Sequence, residues 1–212
     1  MTEFKVCVDN YRFKSKPGIY EAASIADRIA NNIRSYNRDS IKTFVGLVGK
    51  EGCTFCPATF KKGKHDFRYI RKSKENFEQT QLFALDFDNK TPDKTVSFEE
   101  VKDRAERYDI PILFAYDTFS SVNHDKFRVV LLNDVPVLNR KLAETMLQAL
   151  HTVFPEADPS CCKDVSRMYY GGRRLLHFDD SIPEISIESL FRNMNIYLEV
   201  LTPEVIASRQ PE

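Results

Sequence analysis

The chain has 212 residues, 31 Lys and Arg against 31 Asp and Glu, and 42% hydrophobic residues, enough to bury one sizeable core and too balanced in charge to coat nucleic acid by bulk electrostatics. No stretch is long and apolar enough to cross a membrane, and Met1-Thr2-Glu3-Phe4-Lys5 lacks the basic-then-apolar pattern of a secretory signal, so a cytoplasmic protein with no membrane association is expected. Five cysteines, an odd number, fit reduced thiols better than a disulfide framework.

In chain order, the pattern predicts a strand near Phe4 to Val8 and a helix from about Glu21 to Ile33, with Ile25, Ile29 and Ile33 on one stripe. A further strand is expected near Thr43 to Val48. Cys53-Thr54-Phe55-Cys56 has the spacing of half a zinc site, but the remaining pair, Cys161-Cys162, is adjacent and chelates poorly, so zinc is not expected. The segment Lys61 to Lys74 holds seven Lys or Arg and two aromatics against one acid. Basic charge with interleaved rings suits a nucleic-acid track, in which Lys61, Lys62, Lys64, Arg68, Arg71 and Lys72 would contact phosphates; a solvated connecting loop explains it equally well.

The run Leu82-Phe83-Ala84-Leu85-Asp86-Phe87-Asp88 is the most informative in the chain. Strand alternation puts Asp86 and Asp88 on one face and Phe83, Leu85 and Phe87 on the other. Two ionised carboxylates together on a mostly buried strand call for a cation, and hard oxygen donors suit Mg²⁺ or Mn²⁺; the bland alternative is a strand end whose acids reach water. After it come a helix begun by the capping box Ser97-Phe98-Glu99-Glu100 and running to about Tyr108, and a strand Ile112 to Tyr116. A strand Phe127 to Leu132, a helix from about Asn139 to Phe154, and short strands Arg167 to Tyr170 and Leu175 to Phe178 around Gly171-Gly172 complete the pattern.

The order β-α-β-β-α-β matches the ferredoxin-like, RRM-like split β-α-β arrangement within an α+β fold, with the first and third strands central and the fourth beside the first. That arrangement brings Asp86 and Asp88, the strand start Lys126-Phe127-Arg128, and Asp164-Val165-Ser166-Arg167 to one place. Three carboxylates around one or two divalent ions, ringed by Lys and Arg, are the equipment of nucleotidyl transfer.

These residues resemble the archaeo-eukaryotic primase superfamily, including primase-polymerases of phages, plasmids and integrated elements, over roughly residues 40 to 195. Leu85-Asp86-Phe87-Asp88 is similar to the first motif, hydrophobic-Asp-hydrophobic-Asp. Asp164, with Ser166-Arg167 and Gly171-Gly172, is similar to the third, and Tyr116 to Ser121 with Lys126-Phe127-Arg128 to the region of the second. The resemblance implies a DNA primase or primase-polymerase acting in replication of a mobile element on single-stranded DNA template with NTP or dNTP, alongside a separate helicase or replication protein. It implies Asp86, Asp88 and Asp164 as catalytic ligands of one or two Mg²⁺ or Mn²⁺ ions, and Lys126, Arg128, Arg167, His124 and Ser120 as nucleotide contacts. The family's second motif is small residue-x-His; here Lys126-x-Arg128 stands in that place, with His124 two residues earlier.

The domain reading is an N-terminal α/β portion of the catalytic domain at 1–80, an RRM-like palm at 81–198 and a tail at 199–212. Two other readings compete. A haloacid dehalogenase-like phosphohydrolase would use Asp86 and Asp88 with Thr118 or Ser120 and Asp179-Asp180, on a parallel β-α sheet. A non-catalytic replication initiator would use the same sheet to bind DNA alone.

Overall fold

The computed structural model describes residues 3–63, 69–91 and 95–207. Lys64 and Arg68 of the expected basic track lie outside the described residues. The fold is mixed α+β, built on two antiparallel sheets.

The smaller sheet has the order β2-β1-β3, from β1 (Phe4–Arg12), β2 (Ile33–Tyr36) and β3 (Cys53–Cys56). Helix α1 (Ile19–Ile29) buries Ile25 and Ile29, and Arg28 reaches back to the fully buried Asp9 with two bonds of 2.8 Å. The helix stops four residues before the expected end. Asn31 and Asn32, which favour helix ends and turns, close the last turn on the carbonyls of Arg28 and Ile29, and Ile33 moves into β2.

The expected strand at Thr43 to Val48 is instead helix α2 (Ile41–Gly49). Ile41, Phe44, Val45 and Val48 are buried at the i, i+3, i+4, i+7 spacing of a helix, with Leu47 beside them and Lys42 and Thr43 exposed; the window Thr43–Val48 taken alone is too short to separate that period from a strand. The Asn37 side chain accepts from the backbone of Asp39 and Ser40 and turns the chain into that helix.

The larger sheet has the order β4-β5-β7-β6-β8. Its strands are β4 (Ala58–Phe60), β5 (Phe77–Phe87), β6 (Phe114–Thr118), β7 (Phe127–Val137) and β8 (Gly172–Phe178). Between them run α3 (Phe98–Arg107) and α4 (Arg140–Val153), and α5 (Ile187–Ala207) follows. The capping box of α3 is present: Ser97 Oγ accepts from the Glu100 amide while Glu100 accepts from the Ser97 amide at 2.7 Å.

The β-α-β-β-α-β succession is therefore present, with β5 and β7 adjacent. The last strand is placed differently from the expectation: β8 pairs with β6, and β4 takes the edge beside β5. The segment Arg167 to Tyr170 is not a sheet strand. Tyr169 makes one bridge to Phe55 of β3 and donates its hydroxyl to the Ala84 carbonyl at 3.0 Å, so this segment lies across the face of β5. The divisions at 80 and 198 fall inside β5 and α5.

Register assigns the two faces of the larger sheet. Asp86, Arg128 and Tyr116 are neighbours across β5, β7 and β6, as are Ala84, Val130 and Phe114 on the same face. That face meets α2 and the small sheet, where Phe44 packs edge-on against Phe114 and Phe55 with centroids 5.7 Å apart. Phe87 and Phe127 lie on the other face, stacked at 4.8 Å, and Phe98 of α3 covers them.

Candidate metal and nucleotide site

A cavity of about 430 Å³ opens where β5 and β6 end and β7 begins, on the face shared with Asp86. It is lined by Lys16, Lys72, Lys90, Arg128 and Arg167, by Asp86, Asp88, Asp158 and Asp164, and by Thr118, Phe119, Ser120, Met168 and Tyr170. Oxygens of Asp86, Asp88 and Asp158 all lie within 4.8 Å of one another. Asp86 and Asp88 arrive by strand alternation. Asp158 arrives because the chain turns just after α4, and its amide donates to the Asp86 carbonyl at 2.7 Å.

The third member of the carboxylate group is thus Asp158, not Asp164. Asp164 lines the cavity, but its Oδ1 accepts from the Ser166 amide at 2.9 Å and hydroxyl at 2.6 Å, which builds the turn that leads to Arg167. Sequence pattern favours the acid nearest Arg167 and passes over Asp158. A signal for Asp158 exists, in that Ala157-Asp158-Pro159 places an acid in a turn directly after a helix end.

Three cations face the three acids. Arg128 holds Asp86 with both arms, Nε to Oδ1 at 2.9 Å and Nη2 to Oδ2 at 3.2 Å, and also donates to the Tyr170 carbonyl. The side chains are 11% and 5% exposed, so this is a buried pair. Burial alone would lower the pKa of Arg128, but the Asp86 charge and its hydrogen bonds outweigh it and hold the guanidinium charged. Tyr116, which donates to the Tyr170 carbonyl at 3.0 Å, is pushed up to about 12 by burial and stays neutral. Lys90 pairs with Asp88 at 2.5 Å, a bond that together with the Asp88 charge raises its pKa. Arg167 lies 3.5 Å from Asp158 and 3.9 Å from Asp86. Burial pushes the Asp158 carboxyl up, but bonds from the Ser160 hydroxyl and amide and the charges of Arg167 and Lys90 leave it below its ordinary value.

A divalent cation fits this donor set. An ionised carboxylate offers about four lone-pair positions, so the bidentate Arg128 leaves half of those on Asp86 free, and hard oxygens at this mutual distance suit Mg²⁺ or Mn²⁺. Among the described residues no other group of three or more His, Cys, Asp or Glu ligands converges in this way. The five cysteines are all buried free thiols, and burial raises the pKa of Cys56 to about 12.

Of the other expected contacts, Ser120, Arg128, Arg167 and Lys72 line the cavity, and Lys72 Nζ donates to the Ser166 carbonyl at 3.0 Å. Lys126 and His124 do not. Lys126 precedes β7 in a turn fixed by the Ser121 hydroxyl on its amide and the Thr118 amide on its carbonyl, so strand alternation does not carry back to it. His124 lines a separate cavity, bonded to Asp117 at 2.7 Å. Lys61, Lys62 and Arg71 are exposed outside the cavity lining. Lys16 and Lys90 are cations of the site that no sequence motif marks.

No family model matches the sequence, and no curated protein matches it. Among solved structures, the chain is similar to the AEP domain of the primase-polymerase of cyanophage S-2L, with a TM-score of 0.47 and 9% identity over 91% of this chain and 89% of that one. A likeness this distant assigns no family.

Proposed function

We propose that the chain is a metal-dependent nucleotidyltransferase of the primase-polymerase kind, adding nucleotides from NTP or dNTP to a 3′-hydroxyl on a single-stranded DNA template. The observation that carries this reading is the group Asp86, Asp88 and Asp158 on the wall of a cavity otherwise lined by cations. The lining counts five cations, Lys16, Lys72, Lys90, Arg128 and Arg167, against four carboxylates, Asp86, Asp88, Asp158 and Asp164. One divalent ion raises the surplus to about three positive charges, which matches a triphosphate.

Asp86, Asp88 and Asp158 would hold a divalent ion, which would supply activation of the attacking hydroxyl and neutralisation of the leaving phosphates. Arg167, Lys16 and Lys72 hold the triphosphate from the surrounding wall. Phe119, Met168 and Tyr170 offer the apolar surface a base requires, and a cavity of this size admits one nucleotide. Service to a replicative helicase in a mobile element is part of the same proposal, on the motif resemblance alone.

The phosphohydrolase alternative requires a parallel sheet, whereas among the described residues the strands of the larger sheet pair antiparallel. Its second acidic pair is also elsewhere: Asp179 closes a turn on Ser181, and Asp180 pairs with Lys42 on the surface. The non-catalytic initiator gives no role to a carboxylate group in a cationic cavity.

Asp88→Ala is the clean test. Its partner Lys90 is 70% exposed and returns to water, whereas replacing Asp86 strands the buried Arg128. Incorporation of labelled nucleotide on a single-stranded template with Mn²⁺ is expected to fall by about a hundredfold or more, at unchanged thermal stability. Wild-type rates in this variant sink the metal assignment.

A further inference from the structure

Beyond the turn from Thr118 to Ser121 lies a second cavity of about 400 Å³, which shares Thr118 and Phe119 with the first. Lys14, His124, Arg173 and Arg174 line it, with Asp117 as its carboxylate. That carboxylate is already engaged: Oδ2 meets His124 Nδ1 at 2.7 Å and Oδ1 accepts from the Ser121 hydroxyl at 3.3 Å. Among the described residues, no ion pair engages Lys14, Arg173 or Arg174. A concave wall of uncompensated cations focuses potential and draws an anion.

The wall is built rather than incidental. Arg174 sits in register with Asp117, and Gly172 with Thr118. Gly172 makes this approach possible, since a Cβ there would lie 2.1 Å from the Asp117 carbonyl oxygen. Asn123 and His124 both hold left-handed backbone, φ 55° and 64°, which turns the imidazole onto Asp117. Arg173 Nη1 reaches the Lys14 carbonyl at 3.4 Å and ties the segment after β1 to the rim.

The end of β1 and that segment together read Tyr11-Arg12-Phe13-Lys14-Ser15-Lys16, with rings and cations alternating as far as Lys14. Lys14 lines the second cavity and Lys16 the first. Tyr11 is 63% exposed, its ring 5.1 Å from that of Phe13, and Tyr20 beside them is 89% exposed. Exposed rings next to spaced cations suit a single strand, with bases stacked and phosphates paired. An isolated mononucleotide explains the cations but not the rings outside the cavity.

We propose that the cavity of Lys14, His124, Arg173 and Arg174 binds the phosphate backbone of single-stranded nucleic acid, which runs along Tyr11 to Lys16 past Phe119 toward the carboxylates. The direction of the strand rests on the transferase reading; the binding does not. The test is anisotropy of a labelled single-stranded DNA oligonucleotide in EDTA, where nucleotide transfer plays no part. The double substitution Arg173→Ala/Arg174→Ala is expected to weaken binding about tenfold or more. It should also lower the slope of log K against log salt by about 0.7 for each phosphate that is no longer neutralised. Tyr11→Ala is expected to weaken binding roughly tenfold with the slope unchanged, which separates stacking from charge.

Wild-type affinity in the arginine double variant overturns the proposal, as does a wild-type chain that binds no single strand. A larger loss from Lys61→Ala/Lys62→Ala moves the track to the other basic segment and overturns it too. Weakened binding of a free nucleoside triphosphate with unchanged DNA affinity would make the cavity a triphosphate subsite instead. Metal-dependent incorporation that proves absent while the DNA results stand as expected removes the transferase reading and leaves this site in place.

Discussion

Arg128 and Asp86 form the pair on which the centre of the site depends. A buried ion pair contributes little net stability, but removing one partner leaves the other charge buried and unpaired, at about 3–5 kcal/mol. Arg128→Ala is therefore expected to lower the unfolding free energy by about that amount in urea titrations. The same carboxylate oxygens can take a metal, so Mn²⁺ should raise the melting temperature of Arg128→Ala more than that of the wild type. Equal metal-induced shifts in the two proteins count against a shared Asp86. Asp86 and Asp88 are legible in the sequence because alternation along one strand is a local rule. Asp158 is not legible in the same way, since its place depends on how the chain turns after α4 onto the Asp86 carbonyl. The two candidates for third ligand separate by experiment: Asp158→Ala is expected to abolish Mn²⁺ binding in calorimetry. Asp164→Ala, which removes the acceptor for Ser166, should retain measurable binding. The reverse pattern restores Asp164 as the ligand.

Secondary elements show where local pattern suffices and where it fails. The strands and helices from residue 77 to 153 follow from period and capping, and Ser97 with Glu100 marks one helix start outright. Helix α2 escapes such a reading because its apolar run is short, and the helical spacing Ile41, Phe44, Val45, Val48 shows only when Ile41 is included. The place of β8 escapes it for a different reason: both sheet edges accept an antiparallel strand, and the choice between them depends on close approach. Gly172 makes that choice visible, with room for no side chain against Asp117, and Gly171 is also too close for one, since a Cβ there would fall 2.6 Å from the Cys53 carbonyl oxygen. Gly172→Ala is expected to destabilise the fold by about 1–3 kcal/mol or more, because the obstacle is backbone that cannot rotate away. Thermal unfolding by circular dichroism reads it, and a melting temperature within a degree or so of wild type would mean β8 pairs less closely than described.

At the scale of the whole molecule the site belongs to a seam. Lys16 comes from the link between β1 and α1, Lys72 from the link between β4 and β5, and Asp86, Arg128 and Thr118 from the larger sheet. The two sheets share one core: Phe44 packs on Phe114, Phe55 stacks on Tyr169 at 5.6 Å, and Tyr169 bonds to β5. Residues 81–198 therefore do not carry the site alone, even though that span holds the whole carboxylate group. A fragment starting at residue 81 loses β4 and residues 77–80 of β5, and it exposes Phe114, Tyr116 and Tyr169, all fully or nearly buried in the intact chain. Each large side chain returned to water costs about 1.5–3 kcal/mol, so three of them consume a large part of a net stability on the order of 5–15 kcal/mol. The unpaired edge of β5 adds unsatisfied backbone groups to that loss. The fragment 81–212 is expected to show no cooperative thermal transition by circular dichroism and no Mn²⁺ binding. A cooperative melt together with metal binding in the fragment would make the larger sheet an independent unit, with the N-terminal portion an accessory to it.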